Sequence, residues 1–171
     1  AYAYELAVII HDGLQRMLAR HDDIFYYITV MNENYVQPKM PEGVNEGIIK
    51  GLYRVAGSDK DVIRLFGSGA ILREALAARE RLSKEFGIDA SVWSATSYKE
   101  LHRDAVSVER WNRHHPDQPP HTSHLMKCMG AFKGPIVAAT DYVMAVPGSI
   151  GRWMPGAYIV LGTDGFGRSD G

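Results

Sequence analysis

The sequence contains a single cysteine, Cys128, so no disulfide can close within the chain, and this usage suits a reducing compartment. Long apolar runs are also missing. The run Leu6–Ile10 falls far short of the ~20 residues that a membrane-spanning helix requires, and no charged, hydrophobic and small-residue leader precedes it. An excess of charge is lacking too: 19 basic residues against 20 acidic ones leave a net charge of -1, and neither sign forms a block. The expectation is therefore a cytoplasmic protein with no nucleic acid and no membrane among its partners.

What is present suits a globular fold. Hydrophobic residues make up 46% of the chain and charged residues 23%, enough apolar side chains for a core, and 171 residues suit one domain, or one domain with part of a neighbour. Leu6, Ile9, Ile10, Leu14, Met17 and Leu18 recur at the helical period, which predicts an amphipathic helix over residues 3–20 despite Gly13. The segment Ile24–Met31, IFYYITVM, is aromatic and β-branched without polar alternation and reads as a strand covered on both faces. Pro38, Pro41 and Gly43 then mark a linker.

Beyond the linker the pattern becomes regular. DVIRLFGSG reads as a strand, AILREALAARERLSKEFG as a helix stopped by Gly87, and ASVWSA as a second strand, which together form a β-α-β unit. Ser97 and Glu100 stand at capping-box spacing before a further helix. A polar loop with Pro116, Pro119 and Pro120 follows, then a strand at PIVAAT, a helix over DYVMAVPGSIGRWM disturbed by Pro147 and Gly148, and a last strand at AYIVLG. Alternating strands and helices imply a mostly parallel α/β sheet with right-handed crossovers.

Several residues have chemistry to offer. Gly67 and Gly69 in FGSGAIL follow a strand and open a helix, as in a dinucleotide loop, but Leu72 takes the place of the third glycine. The following strand, ASVWSA, also lacks the acidic residue such a loop is paired with. A tight strand-to-helix turn is the simpler reading. His114, His115, His121, His124 and Cys128 are zinc-type ligands, but their spacing matches no standard site, and a polar proline-rich surface loop is the simpler reading. His11 and Asp12 form an acid–base pair only if their helix face lines a cleft. Asn32, Glu33 and Asn34 directly follow the candidate strand Ile24–Met31, and ligands of open α/β sheets sit at the carboxyl ends of strands. In GTDGFGRSD the glycines permit close backbone approach, and Asp164, Arg168 and Asp170 offer polar contacts to a ligand or an interface.

Taken in order, YYITVMNENYVQPKMPEG, EGIIKGLY, LFGSGAILREA, SVWSATSYKELHRD, ERWN, ATDY and LGTDGFGRSD closely resemble the C-terminal part of bacterial homodimeric pyruvate dehydrogenase, the thiamine-diphosphate-dependent first component of the pyruvate dehydrogenase complex. The resemblance covers essentially the whole chain. It implies an α/β fold: a transketolase C-terminal-domain-like, mixed and mostly parallel sheet flanked by helices over residues 42–171, truncated, preceded over residues 1–38 by the end of a pyrimidine-binding α/β domain. The chain then corresponds to an internal segment of a longer polypeptide. Gly171 departs from the family, where Ser or Thr followed by Arg is usual.

For the parent enzyme the resemblance implies decarboxylation of pyruvate and reductive transfer of the acetyl group to a lipoyl group. Thiamine diphosphate and magnesium are the implied cofactors, a homodimer the implied assembly, and the dihydrolipoyl acetyltransferase core the implied partner. The family's G-D-G…N diphosphate motif, its activating glutamate and its main active-site histidines have no counterpart here, so no catalytic, cofactor-binding or metal-binding residue is expected in this segment. Asn32, Glu33 and Asn34 are expected at the active-site rim, and Asp164, Phe166 and Arg168 at the dimer interface. The segment alone is expected to be inactive and to serve dimer assembly and active-site framing. The rival readings are a free-standing nucleotide-binding module built on the FGSG turn and another transketolase-family 2-oxo acid enzyme.

Overall fold

A computed structural model describes residues 2–31 and 33–165. The chain opens with helix α1 (Ala3–Leu14), which runs on into a π-helical turn over Gln15–Ala19. Residues 24–31 and 33–41 carry no regular element. Helix α2 (Asn45–Lys50) follows, then strand β1 (Tyr53–Ala56), strand β2 (Ile63–Gly67), helix α3 (Ile71–Phe86), strand β3 (Ala90–Ser94) and helix α4 (Tyr98–His114). Helix α5 (His124–Met129), strand β4 (Ile136–Val143), the short helix α6 (Ala145–Gly148), a 3-10 turn at Gly151–Trp153 and strand β5 (Tyr158–Thr163) complete the order.

The five strands form one sheet in the order β1-β3-β2-β4-β5. β3, β2, β4 and β5 run parallel, and β1 joins β3 antiparallel, so the sheet is mixed and mostly parallel as expected. Alternation along the strands sends neighbours to opposite faces. Phe66 and Trp93 face a core shared with Leu101, Leu125, Ile136 and Ile150, beneath α4 and α5. Leu65 and Val92 face a second core with Leu72, Ala75 and Tyr2, beneath α3 and α1. Because both faces are covered, every residue of β3 is buried, which explains its unbroken run of small and apolar side chains.

The helix ends follow local chemistry. Gly87 closes α3 in the left-handed conformation at φ 65°, the conformation in which a Cβ is penalised. Ser97 opens α4 by accepting the Glu100 amide, but the reciprocal half of the expected capping box is absent because the Glu100 carboxylate pairs with Arg103 instead.

Two expectations about elements are corrected. The segment Ile24–Met31 is not a buried strand: no strand pairs with it among the described residues, and Phe25 and Tyr27 are 86% and 87% exposed. A strand needs a neighbour to satisfy its backbone, and every described strand pairs only within β1–β5. The helix expected over DYVMAVPGSIGRWM is mostly something else, because β4 continues to Val143 and only Ala145–Gly148 and Gly151–Trp153 turn. α2, β1 and α5 are additions that the sequence pattern did not single out.

Candidate functional site at the strand switch point

β2 lies between β3, which follows it in the chain, and β4, which follows β3. The connection leaving β2 runs to β3 on one side and that leaving β4 runs to β5 on the other, so the carboxyl ends of β2 and β4 form the topological switch point where open α/β sheets hold ligands. Ser68, just beyond β2, and Thr140, within β4, are both buried there, with their hydroxyls 2.6 Å apart. The turn into α3 is tight: a Cβ on Gly67 would lie 2.6 Å from the Leu72 Cα, so only glycine allows the helix to approach the strand this closely. This packing accounts for the FGSG pattern without a nucleotide.

The segment carrying the expected rim residues crosses this end of the sheet. Thr29 Oγ1 lies 2.6 Å from the Tyr142 hydroxyl, and Met31 lies over Gly69, where an added Cβ would stand 3.5 Å from the Met31 Cγ. Glu33 is exposed and reaches Arg73 of α3 at 3.5 Å, while the Arg73 guanidinium sits 5.2 Å from the centre of the Tyr35 ring. Burial, with the Glu33 carboxylate as the next contribution, pushes the Asp141 carboxyl up from the ordinary aspartate range. Asn34 is exposed, and Asn32 lies outside the described residues. Arg73, Ser68, Thr140 and Tyr142 were not picked out from sequence; what would have found them is their position just past β2 or at the end of β4.

The other candidates are placed as follows. Asp164 is exposed, while Phe166 and Arg168 lie outside the described residues. His11 and Asp12 do line a cleft, between α1 and α2 with Tyr4, Val8, Met40 and Ile49, but Asp12 accepts the Tyr26 hydroxyl at 2.6 Å. Among the described residues no three His, Cys, Asp or Glu side chains converge on a metal position. Two of the loop histidines stack instead on Trp111, His121 at 3.5 Å and His115 at 4.4 Å between ring centres. His124 and Cys128 are one helical turn apart, with Sγ 3.4 Å from Nε2, and the same Nε2 lies 2.8 Å from the Leu52 carbonyl. A carbonyl only accepts, so Nε2 carries the proton and cannot serve as a base for the thiol. Burial pushes the Cys128 thiol up to about 11.

One further polar cluster is buried. Glu5 of α1, 1% exposed, accepts the Tyr53 hydroxyl at 2.7 Å and the Ser94 hydroxyl at 2.5 Å on one oxygen and the Tyr2 amide at 2.6 Å on the other. The Tyr4 hydroxyl lies 2.7 Å from that of Tyr53. This network ties α1 to β1 and β3.

The chain belongs to the family described as "Transketolase-like TK C-terminal domain", which matches residues 51–171. A second description, "Pyruvate dehydrogenase E1 component middle domain", matches residues 1–38. Among curated relatives, the pyruvate dehydrogenase E1 component of Pseudomonas aeruginosa is 54% identical over 99% of this chain and 20% of its own length. Those of Cupriavidus necator and Escherichia coli are each 47% identical over 99% of this chain and 19% of theirs. The chain thus spans about a fifth of the length of these relatives. A solved transketolase from Pichia stipitis aligns with 77% of this chain and 16% of its own at 20% identity, with a TM-score of 0.47. No described helix is long and apolar enough to cross a membrane.

Proposed function

We propose that this chain is the segment of a pyruvate dehydrogenase E1 component that joins the end of the middle domain, residues 1–38, to the transketolase-like C-terminal domain, residues 42–171. The parent enzyme decarboxylates pyruvate and passes the acetyl group reductively to a lipoyl group. It uses thiamine diphosphate and magnesium, works as a cytoplasmic homodimer, and serves the dihydrolipoyl acetyltransferase core of its complex. The observation that carries this reading is the 54% identity that runs over 99% of the chain, across both matched families.

No seat for the cofactor is expected in this segment. The sequence holds no G-D-G…N motif. No chemical step is therefore assigned to this segment. Its part is to frame the site and the subunit contact: Asn32, Glu33 and Asn34 form part of the active-site rim over the switch point, and Asp164, Phe166 and Arg168 belong to the dimer interface. The placement of Glu33 beside Arg73, over the carboxyl ends of β2 and β4, supports the first assignment.

The test uses both lengths of polypeptide. The complete gene product is expected to release carbon dioxide from pyruvate only with thiamine diphosphate and magnesium, and to acetylate a lipoyl acceptor. The 171-residue chain is expected to give no heat on titration with the same cofactors. Micromolar binding by the short chain, or inert full-length protein, overturns the proposal.

A further inference from the structure

The two long helices of the sheet domain treat their solvent faces differently. On α3 the exposed charges neutralise each other one turn apart, Arg81 with Glu85 and Lys84 with Glu80. On α4 they do not. At about 100° per residue, Lys99, Arg103, Val106, Arg110 and Arg113 fall within about 40° of one line, opposite the buried Leu101 and Ala105 and the half-buried Val108. The four cations span about 21 Å along the helix at 1.5 Å per residue.

The three carboxylates of α4 leave that line. Glu109 turns to Arg152 and the Trp153 indole, and Asp104 accepts the His124 amide of α5 at 2.6 Å. Glu100 reaches Arg103 from the flank. Lys99, Arg110 and Arg113 have no ion pair among the described residues. Like charges at these spacings repel, and Lys99 stands in the first turn, where the field of the helix disfavours a cation. Among the described residues only the Glu100–Arg103 pair offsets that repulsion.

We infer that the outer face of α4 docks an acidic protein surface, one that presents carboxylates along about 20 Å and a small apolar contact for Val106. Val106, 36% exposed, stands at the middle of the row. An apolar centre flanked by cations suits a protein face better than a phosphate backbone, which rewards an unbroken line of charge. The inference stands on the helix alone and is independent of the reaction proposed above.

The test uses the complete gene product and a fluorescein-labelled poly-L-glutamate of about 20 residues, followed by anisotropy. Binding is expected at low salt and should weaken at least tenfold between 20 and 200 mM sodium chloride. The triple variant Lys99→Glu, Arg110→Glu, Arg113→Glu is expected to lose at least tenfold in affinity, with the neutral Lys99→Gln, Arg110→Gln, Arg113→Gln variant intermediate. The control Arg81→Glu, Lys84→Glu on α3 is expected to bind as the unmodified protein does. Circular dichroism melts identify any variant that fails to fold, in which case the neutral variant decides. Unchanged binding by the α4 variants, an equal loss in the α3 control, or tighter binding to a single-stranded DNA of equal charge each overturns the inference.

Discussion

Glu5 places a carboxylate at 1% exposure with a donor on each oxygen, so its worth lies in the groups it satisfies. Glu5→Ala leaves the Tyr53 and Ser94 hydroxyls facing a void, and the cost is expected at about 3 kcal/mol in urea unfolding, with Glu5→Gln closer to the original. Cys128 makes a contrasting case. With its thiol pushed up to about 11, alkylation by iodoacetamide at pH 8 is expected to run roughly a hundredfold slower than for a free thiol and to rise tenfold per pH unit towards 11. The unfolded thiol ionises first, so the stability held by the neutral thiol is fully present below pH 9 and is lost as pH climbs from there through 11. Glu33, by comparison, is exposed and its pair with Arg73 is worth at most about 1 kcal/mol. Glu33→Gln in the complete enzyme is therefore expected to leave the melting temperature nearly unchanged while raising KM for pyruvate several-fold. An unchanged KM removes Glu33 from the rim.

Among the elements, α4 depends on its first turn. Ser97→Ala removes the acceptor for the Glu100 amide and is expected to cost about 1 kcal/mol in thermal or urea unfolding. The α3 turn depends on the absence of a side chain, since a methyl on Gly67 would meet backbone atoms of Leu72 at 2.6 Å. The parts of the fold that were legible in sequence are those where one rule dominates: the helical period and Gly87 for α3, the serine cap for α4, the apolar runs for β2 and β3. β1 was not legible because YRVA is short and owes its ladder to β3, some forty residues on. α5 and α6 are too short for their period to show. Ile24–Met31 misled because its composition reports a preference to be a strand, while pairing depends on neighbours that the described residues do not supply. The candidate site was half legible. A turn after a candidate strand drew notice to Glu33, but its counterparts, Arg73, Thr140 and Tyr142, lie far along the chain and only the sheet order brings them together.

For the molecule as a whole, the homodimer proposal is tested at Phe166, whose neighbour Asp164 is exposed just beyond β5. Phe166→Ala in the complete enzyme is expected to weaken self-association by about 2 kcal/mol in sedimentation equilibrium, the scale of an interface anchor, and an unaltered constant removes Phe166 from the contact. The network around Glu5 has a consequence during synthesis. Its donors Tyr53 and Ser94 lie 48 and 89 residues further along the chain. At about 5–20 residues per second, a ribosome needs roughly 4–18 s after making α1 to supply the second of them. Throughout that interval the Glu5 oxygen that accepts both hydroxyls waits for the Ser94 donor. The antiparallel edge of the sheet thus acts as a late fastener, and translation speed between residues 5 and 94 sets how long the Glu5 network stays incomplete.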